Sequence, residues 1–282
     1  MIAGRLAALV LVTALMVAGC GSSRRSAYEL VVGSRSEAEF VLLANIYAGA
    51  LRSYGFAARV VAVSDPLTDL DSGALSLVPA LTGTVLQTFE PGATVRSDQQ
   101  VYRAMVGALP EGLAAGDYAT AAEDKPALAV TQSTADAWGG TDLSTLPRHC
   151  HGLVLGERGG STKPATISNC RLPDPRQFAD ETAMFDALKD GHLTLVWTTT
   201  ADPGVPAGVV LLADGKPALI QAENVVPLYR RNELNTRQLL AINEVAGVLD
   251  TAALADMRRQ VAEGADARAL TEAWLAEHPL GR

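Results

Sequence analysis

The chain has 282 residues, of which 48% are hydrophobic and 19% charged, enough for one large globular domain or two lobes. Its formal net charge is −8, and no basic run is longer than a pair such as Arg24-Arg25 or Arg230-Arg231. Because a nucleic-acid binder needs a concentrated basic surface, that class is excluded and no nucleic-acid partner is expected.

The N-terminus has the layout of a bacterial export signal. Arg5 supplies a short basic region, residues 6–17 are apolar but too few for a stable membrane-spanning helix, and Val17-Ala18-Gly19-Cys20 matches a lipobox. We expect a signal peptide over residues 1–19, a lipid on Cys20, and a flexible tether over 20–27 that holds the protein at the outer face of the cytoplasmic membrane. The alternatives are a plain secretory signal with a chance cysteine and an uncleaved anchor.

The first unit of the folded body is predicted over residues 29–56. A short apolar run at 30–32 is followed by the turn Gly33-Ser34-Arg35-Ser36 and by apolar residues spaced three and four apart, which indicates a strand, a turn and a helix. Ser36 with Glu39 matches a capping box, so the helix is expected to begin near Glu37. Its first amides then point into the turn that holds Ser34 and Arg35, where a small polar or anionic group binds readily. An ordinary βα turn has the same pattern.

Short apolar strands alternate with amphipathic helices along the rest of the chain. Strands are predicted over residues 59–63, 74–78, 127–130, 151–155, 193–197, 209–212 and 224–229, and helices over residues 67–72, 97–109, 133–138, 181–189, 236–249, 251–263 and 268–277. This alternation predicts an α/β protein with mostly parallel sheets, whose ligands lie beyond the carboxyl ends of the strands. The turns at 33–35 and 79–84 then share one crevice.

The alternation occurs twice, which predicts two lobes with a ligand cleft between them. Two chain crossings are expected, near residues 124–126 and near 222–225. We assign residues 28–125 to the first part of lobe 1, residues 126–222 to lobe 2, and residues 223–282 to the return to lobe 1 with its C-terminal helices.

Export also bears on the two remaining cysteines, Cys150 and Cys170. In an oxidising compartment they are expected to form a disulfide, with a loop-entropy contribution of about 3 kcal/mol. His149 and His151 flank Cys150 and raise a metal site as the alternative. The disulfide is favoured because the sequence has no second ligand cluster at structural-zinc spacing. No metal and no cofactor are expected.

Seven segments of the chain carry a family resemblance. They are VGSR at 32–35, LVPALTGT at 77–84, ED and ALAV within 123–130, TKP at 162–164, ALKDG at 187–191, NVVPL at 224–228 and GVLDT at 247–251. In order and spacing they resemble the substrate-binding subunits of ABC importers for glycine betaine, choline and carnitine, the ProX/OpuAC type. The resemblance implies a two-lobed type II periplasmic-binding-protein fold that closes by a hinge motion on a small-molecule solute and presents it to permease subunits in the cytoplasmic membrane.

The competing classes are an enzyme and an envelope lipoprotein that senses a ligand or binds a partner. The sequence has no Gly-x-Ser-x-Gly elbow, no His-Glu-x-x-His and no Walker lysine, so we expect a binding protein and not an enzyme. A monomer is expected.

Members of this family hold a quaternary ammonium in a box of aromatic rings. Where the resemblance places the four tyrosines of that box, this chain has Leu81, Pro126, Thr199 and Glu223. A pocket without rings suits a hydrogen-bonding solute such as a polyol, a sugar or an amino-acid derivative. The alternative is a cationic solute whose ammonium Glu223 holds by direct charge.

The cationic side of the family pocket is better retained. Arg35 and Lys163 stand at positions that meet the ligand carboxylate in the family, and Thr84 matches a hydroxyl contact. Each has an alternative: Arg35 pairs with Glu37 or Glu39, Lys163 is a solvated loop residue, and Thr84 caps a helix. Trp197 is favoured over Trp138 and Trp274 as a stacking ring. The full set of expected ligand-binding residues is Ser34, Arg35, Leu81, Thr82, Thr84, Asp124, Lys163, Trp197, Thr199, Glu223 and Asn224.

Overall fold

The computed structural model describes residues 29–159 and 163–281, so the predicted signal peptide, Cys20 and the tether lie outside the described residues. The strands are β1 (Leu30–Ser34), β2 (Ala58–Ala62), β3 (Leu77–Leu81), β4 (Leu113–Ala115), β5 (Pro126–Thr131), β6 (Leu155–Arg158), β7 (Thr166–Ile167), β8 (Cys170–Arg171), β9 (Arg176–Phe178), β10 (Leu195–Thr199), β11 (Val209–Leu211) and β12 (Val225–Arg230). The α-helices are α1 (Ala38–Ser53), α2 (Pro66–Ser72), α3 (Thr82–Phe89), α4 (Asp98–Ala108), α5 (Gln132–Trp138), α6 (Glu181–Lys189), α7 (Thr236–Val248), α8 (Thr251–Ala262) and α9 (Ala267–Glu277), and a 3₁₀ helix covers Leu143–His149.

Two five-stranded sheets organise the described residues, in the orders β2-β1-β3-β12-β4 and β11-β5-β10-β6-β9. In the first sheet β12 is antiparallel to β3 and β4, whereas β1 is parallel to β2 and β3. In the second sheet β5 is antiparallel to β10 and β11, whereas β6 is parallel to β10 and β9. One strand in each sheet therefore runs against the other four, and the predicted mostly parallel α/β architecture is confirmed.

Each sheet has a hydrophobic core on both of its faces. Against the first sheet, α1 packs with α7, α8 and α9 on one face, while α3 and α4 cover the other. The second sheet is covered by α6 on one face, while α5 and the disulfide-linked segment pack on the opposite face. We use lobe 1 for the first sheet with α1–α4 and α7–α9, and lobe 2 for the second sheet with α5 and α6. The exact residues at which the lobes begin and end stay a prediction.

The two crossings between the lobes lie side by side. Glu123 and Asn224 form an antiparallel bridge, and the backbone nitrogen of Asp124 donates to the carbonyl oxygen of Glu223 at 2.9 Å. The crossings lead directly into β5 and β12, the strands that run against their neighbours. The hinge is thus a short two-stranded ribbon.

Cys150 and Cys170 are joined by a disulfide, as predicted. His149 stacks on Trp138 with ring centroids 4.7 Å apart. Since Cys150 is bonded to Cys170, the alternative metal site loses its thiolate ligand.

The cap predicted at Ser36 is wrong, although the helix begins within one residue of the expected start near Glu37. Helix α1 begins at Ala38 with Glu37 as its N-cap residue, and no side chain caps it. The predicted capping box fails because the carboxyl group of Glu39 lies inward, 3.9 Å from Arg258, instead of returning to the helix start.

Three predicted strands are displaced along the sequence. Strand β3 starts three residues later than expected, because the backbone nitrogens of Ala74 and Leu75 donate to Asp69 at the end of α2. Strand β6 starts at Leu155, since residues 151–152 form a turn with Gly152 at φ +76°. Strand β10 starts at Leu195, because Leu193 is bound to the carbonyl of Ala187.

No single helix among the described residues is long and apolar enough to cross a membrane. Helices α7 and α8 reach that length and hydropathy only when taken together, across a bend of 95°.

Candidate functional site

Glu223, on the second crossing, binds the start of helix α3. Its carboxylate accepts hydrogen bonds from the backbone nitrogen and from the hydroxyl of Thr84, each at 2.8 Å. A Cβ on Gly83 would lie 2.6 Å from the carbonyl oxygen of Ala222, so only glycine lets the crossing approach this closely. The protein's own carboxylate thus occupies the positive end of the α3 dipole. Burial raises the pKa of Glu223 to about 7, against the opposing effect of the bonds from Thr84.

Asp124, on the first crossing, connects three parts of the molecule. One carboxylate oxygen accepts from the backbone nitrogen of Ala201 at 3.0 Å, and the other accepts from Nη1 of Arg258 at 2.9 Å. Glu39 shares a hydrogen bond with Asp124, and its pKa is raised to about 8 by burial and by the charge of Asp124. Two carboxyl groups and one guanidinium therefore form a buried cluster beside the hinge.

Arg35 follows β1 and faces a cavity of about 200 Å³ in lobe 1. Its guanidinium lies 3.9 Å from the centroid of the Phe40 ring. Among the described residues it stacks in this way instead of forming the ion pair with Glu37 or Glu39 that was considered as the alternative. Leu81 and Thr84 line the same cavity. The structure therefore brings together three of the predicted ligand-binding residues at the ends of β1 and β3.

Lys163 belongs to the facing wall in lobe 2. Its Nζ lies 3.5 Å from the carboxylate of Glu157 and donates to the carbonyl of Arg158 at 3.2 Å, so it is held in place and is not a freely solvated loop residue. Trp197 and Thr199 share with Lys163 a cavity of about 310 Å³. Trp197 is only 3% exposed and also belongs to the lobe 2 core.

A further cavity, of about 350 Å³, joins the two lobes near the hinge. Lys163 and Pro126 line it from lobe 2, and Gln87 and Glu223 line it from lobe 1 and the crossing. Thr199 is the register partner of Pro126, so it lies at the same edge of the second sheet. Predicted residues from both lobes thus border one space.

Three predicted residues, Ser34, Thr82 and Asn224, are buried, and each makes hydrogen bonds inside the protein. The Ser34 hydroxyl donates to the carbonyl of Arg35 at 2.6 Å, and the Thr82 hydroxyl accepts from the backbone nitrogen of Asn224 at 3.0 Å. The Asn224 side chain donates to the carbonyl of Ala119 at 3.0 Å. These contacts hold the ends of β1, β3 and the second crossing together.

Sequence reasoning missed four charged residues of the cleft: Glu39, Glu181, Asp202 and Arg258. Burial and a hydrogen bond to Asp202 raise the pKa of Glu181 to about 7. For Arg258, the spacing along helix α8 was a signal in the sequence that could have identified it. Arg258 follows the buried Leu254 by four residues, which puts a cation on the buried face of α8 and demands a buried partner.

The family of the chain follows from a sequence comparison. Residues 28–170 and 171–277 match the family model OpuAC, described as the substrate binding domain of an ABC-type glycine betaine transport system. The chain belongs to the OpuAC family. The predicted recognition is therefore confirmed, and OpuAC members are binding proteins and not enzymes.

Solved structures show the same fold as this OpuAC chain. Apo YehZ from Escherichia coli is 20% identical with a TM-score of 0.72, covering 90% of this chain and 99% of YehZ. A glycine betaine/carnitine/choline ABC transporter protein is 16% identical with a TM-score of 0.72, covering 89% and 98%. Lactococcal OpuAC in its closed form with glycine betaine is 13% identical with a TM-score of 0.52, covering 89% and 96%. Among curated protein sequences no match was found.

Family membership gives the general role of this OpuAC protein. It is an extracytoplasmic substrate-binding protein of an ABC importer of the osmoprotectant type, and it works with a small solute and with the transporter components. The two-lobed fold confirms the predicted periplasmic-binding-protein architecture.

Proposed function

We propose that this OpuAC protein captures a small polar solute that forms hydrogen bonds, such as a polyol, a sugar or an amino-acid derivative, and not a quaternary amine. The observation that carries the proposal is the contact between Glu223 and Thr84, in which both oxygens of the carboxylate are engaged at 2.8 Å. Thr84 stands where the family resemblance implies a hydroxyl contact to the ligand, and here that hydroxyl is bound to Glu223.

A ligand such as glycine betaine needs a partner for each of its ends. Its carboxylate would compete with Glu223 for the donors of Thr84 and would be repelled by the charge of Glu223. Its quaternary ammonium has no N–H to donate and depends on aromatic faces, which Leu81, Pro126, Thr199 and Glu223 do not supply. The ammonium end therefore loses its expected aromatic partners, and the carboxylate end loses the donors of Thr84 although Arg35 and Lys163 are retained.

The same residues suit a solute with hydroxyl or amine groups. Thr199 offers a hydroxyl, and Glu223, with its pKa raised to about 7, offers a carboxyl group that is partly protonated near neutral pH. Arg35 and Lys163 add donors from opposite lobes. A small number of convergent polar groups in a mostly preformed cleft is typical of a site for a polar solute.

Ligand titration of the mature protein from Ser22 onward tests this proposal. Glycine betaine, choline and carnitine are compared with a panel of polyols, sugars and amino-acid derivatives, with tryptophan fluorescence and Tm recorded together. We expect a saturable Tm increase only from a hydrogen-bonding solute, lost in Arg35→Ala or Lys163→Ala. The control Lys189→Ala removes an exposed lysine paired with Asp186 and leaves binding intact. Saturable stabilisation by a quaternary amine would contradict the proposal and make Glu223 the ammonium partner.

If no solute in the panel binds, the result favours the alternative role. In that role the protein acts as a sensor or as a partner-binding module of the envelope. Binding of a solute that is released only to the permease favours transport.

Sedimentation of the mature protein tests the expected monomer.

We propose in addition that a lipid on Cys20 anchors the protein to the outer face of the cytoplasmic membrane. The support is the lipobox Val17-Ala18-Gly19-Cys20 at the end of an apolar stretch. Wild-type protein is expected in the membrane fraction, with the mass of a diacylglyceryl group on its N-terminal peptide, whereas Cys20→Ser is expected to lack this mass. Wild-type protein without the lipid mass would contradict the proposal.

A further inference from the structure

Arg258 is anchored to lobe 1. It extends from α8, whose residues Leu254 and Met257 belong to the lobe 1 core. Its Nη1 donates to Asp124 at 2.9 Å and lies 3.9 Å from Glu39, and its side chain is 19% exposed. Two carboxyl groups thus fix the direction of the guanidinium.

The same guanidinium borders a cavity that otherwise belongs to lobe 2. The cavity measures about 310 Å³, and apart from Arg258 its described lining residues fall within residues 158–203. Glu181 at the start of α6 and Asp202 after β10 are among them. The hydroxyl of Thr198 donates to Asp202, and Asp202 shares a hydrogen bond with Glu181.

The lobe 2 side of this cavity carries the acidic pair Glu181 and Asp202 together with Arg158 and Lys163, and Arg258 faces it from lobe 1. A guanidinium has five N–H donors, and the hydrogen bond to Asp124 uses only one of them. The positive charges of Arg158 on the same lobe and, to a smaller extent, of Arg258 across the cleft lower the pKa of Glu181, against the larger effect of burial. A cation carried by one lobe therefore faces an acidic pair carried by the other.

We propose that Arg258 is an interlobe latch: Asp124 and Glu39 hold it on lobe 1, and it pairs with Glu181 and Asp202 of lobe 2 only when the cleft is closed. A contact that exists in one state alone shifts the equilibrium between the states by its own free energy. Arg258 thereby raises the population of the closed state, whichever solute occupies the cleft.

The competing explanation is that Arg258 only neutralises Asp124 and Glu39. The two explanations differ in what a change on lobe 2 does. Glu181→Gln leaves the bond from Arg258 to Asp124 intact, so it opens the cleft only if the pairing across the lobes matters. Arg259→Gln is the matched control, because Arg259 is the next residue of α8 and binds Asp256 and Glu263 on its own helix.

The experiment uses the mature protein without ligand and measures cleft opening directly. Small-angle X-ray scattering gives the radius of gyration, and acrylamide quenching of Trp197 in a Trp138→Phe, Trp274→Phe background reports access to the cavity that Trp197 shares with Arg258. We expect Arg258→Gln and Glu181→Gln each to raise the open-to-closed ratio about threefold, as for a partly exposed ion pair. The double variant is expected to open no further than either single variant, and Arg259→Gln is expected to match the wild type.

Additive effects of Arg258→Gln and Glu181→Gln, or scattering and quenching that stay at wild-type values in both, would overturn the latch. Arg258→Lys keeps the charge and tests the site if Arg258→Gln does not fold, and Glu181→Gln decides the question without touching α8. Because no ligand is used, failure of the latch and failure of the proposed solute class give separate results.

Discussion

The carboxylate of Glu223 and residue Thr84 form a two-point contact, with Oε2 accepting from the backbone nitrogen and Oε1 from the hydroxyl at 2.8 Å each. Glu223 lies on the crossing between the lobes, whereas Thr84 lies in the first turn of α3. The contact therefore ties a helix of lobe 1 to the hinge and caps that helix from a distant part of the chain.

Glu223→Ala is expected to lower the free energy of unfolding by about 1 kcal/mol, because α3 loses its side-chain cap and the backbone nitrogen of Thr84 loses its acceptor. Urea denaturation followed by circular dichroism measures this change. Glu111→Ala removes an exposed carboxylate in a turn and serves as the control, with a change within about 0.5 kcal/mol. Equal stability of the two variants would argue against the capping role.

Gly83→Ala is expected to destabilise the protein more strongly, by about 2 kcal/mol or more, because the new methyl group would lie 2.6 Å from the carbonyl oxygen of Ala222. Gly107→Ala is the matched control within a helix, since a Cβ there meets nothing within 4 Å. The control should be neutral or stabilising by about 0.5 kcal/mol. A Gly83→Ala protein with wild-type Tm would show that the crossing does not need this close approach.

Stability is expected to fall as the pH rises from about 5 to about 8. Burial raises the pKa of Glu39 to about 8, whereas the unfolded chain releases this proton near pH 4.5. Folding is therefore coupled to proton uptake between these pH values, and it becomes less favourable as the proton concentration falls. Glu39→Gln keeps a neutral group beside Asp124 and removes this proton uptake. The Tm of the variant minus that of the wild type should therefore increase between pH 5 and pH 8 and level off above it, whereas parallel Tm curves would contradict the assignment.

Replacing both Cys150 and Cys170 by serine is expected to cost about 3 kcal/mol, because the bond closes a loop with a sequence separation of 20. Thermal unfolding of the variant, with and without reductant, measures the loss. Reductant should lower the Tm of the wild type toward that of the variant and leave the variant itself unchanged. A wild type that keeps its Tm after verified reduction would show that the closed loop contributes little.

Periodicity was sufficient for most of the secondary structure. Helix α6 was predicted with its observed bounds, because Met184, Phe185 and Leu188 lie on one face. In the structure, the side chain of Asp180 caps its start. The displaced starts of β3, β6 and β10 arose from local hydrogen bonds and a turn, whereas the error at α1 arose from a distant partner. Glu39 does not cap α1, since it lies near Asp124 and Arg258, which are far along the chain.

The candidate site was predictable only in part, for the same reason. The family segments led to Arg35, Thr84, Lys163 and Glu223, which line the cleft cavities. Arg258 and Glu181 belong to no such segment, and their relationship depends on how two separate lobes face each other. Local spacing in the sequence contains no information on that orientation.

The paired crossings determine which contacts a solute gains as the lobes move. Asp124 and Glu223 lie on the ribbon about which the lobes rotate, so their distance from a solute bound beside them changes little during that rotation. Solute contacts with these two residues therefore contribute similarly to the affinity of the open and closed states and favour neither state. We therefore expect solute preference set beside the ribbon and closure set by the pairing of Arg258 with Glu181 to be separable, so that a substitution that changes one need not change the other.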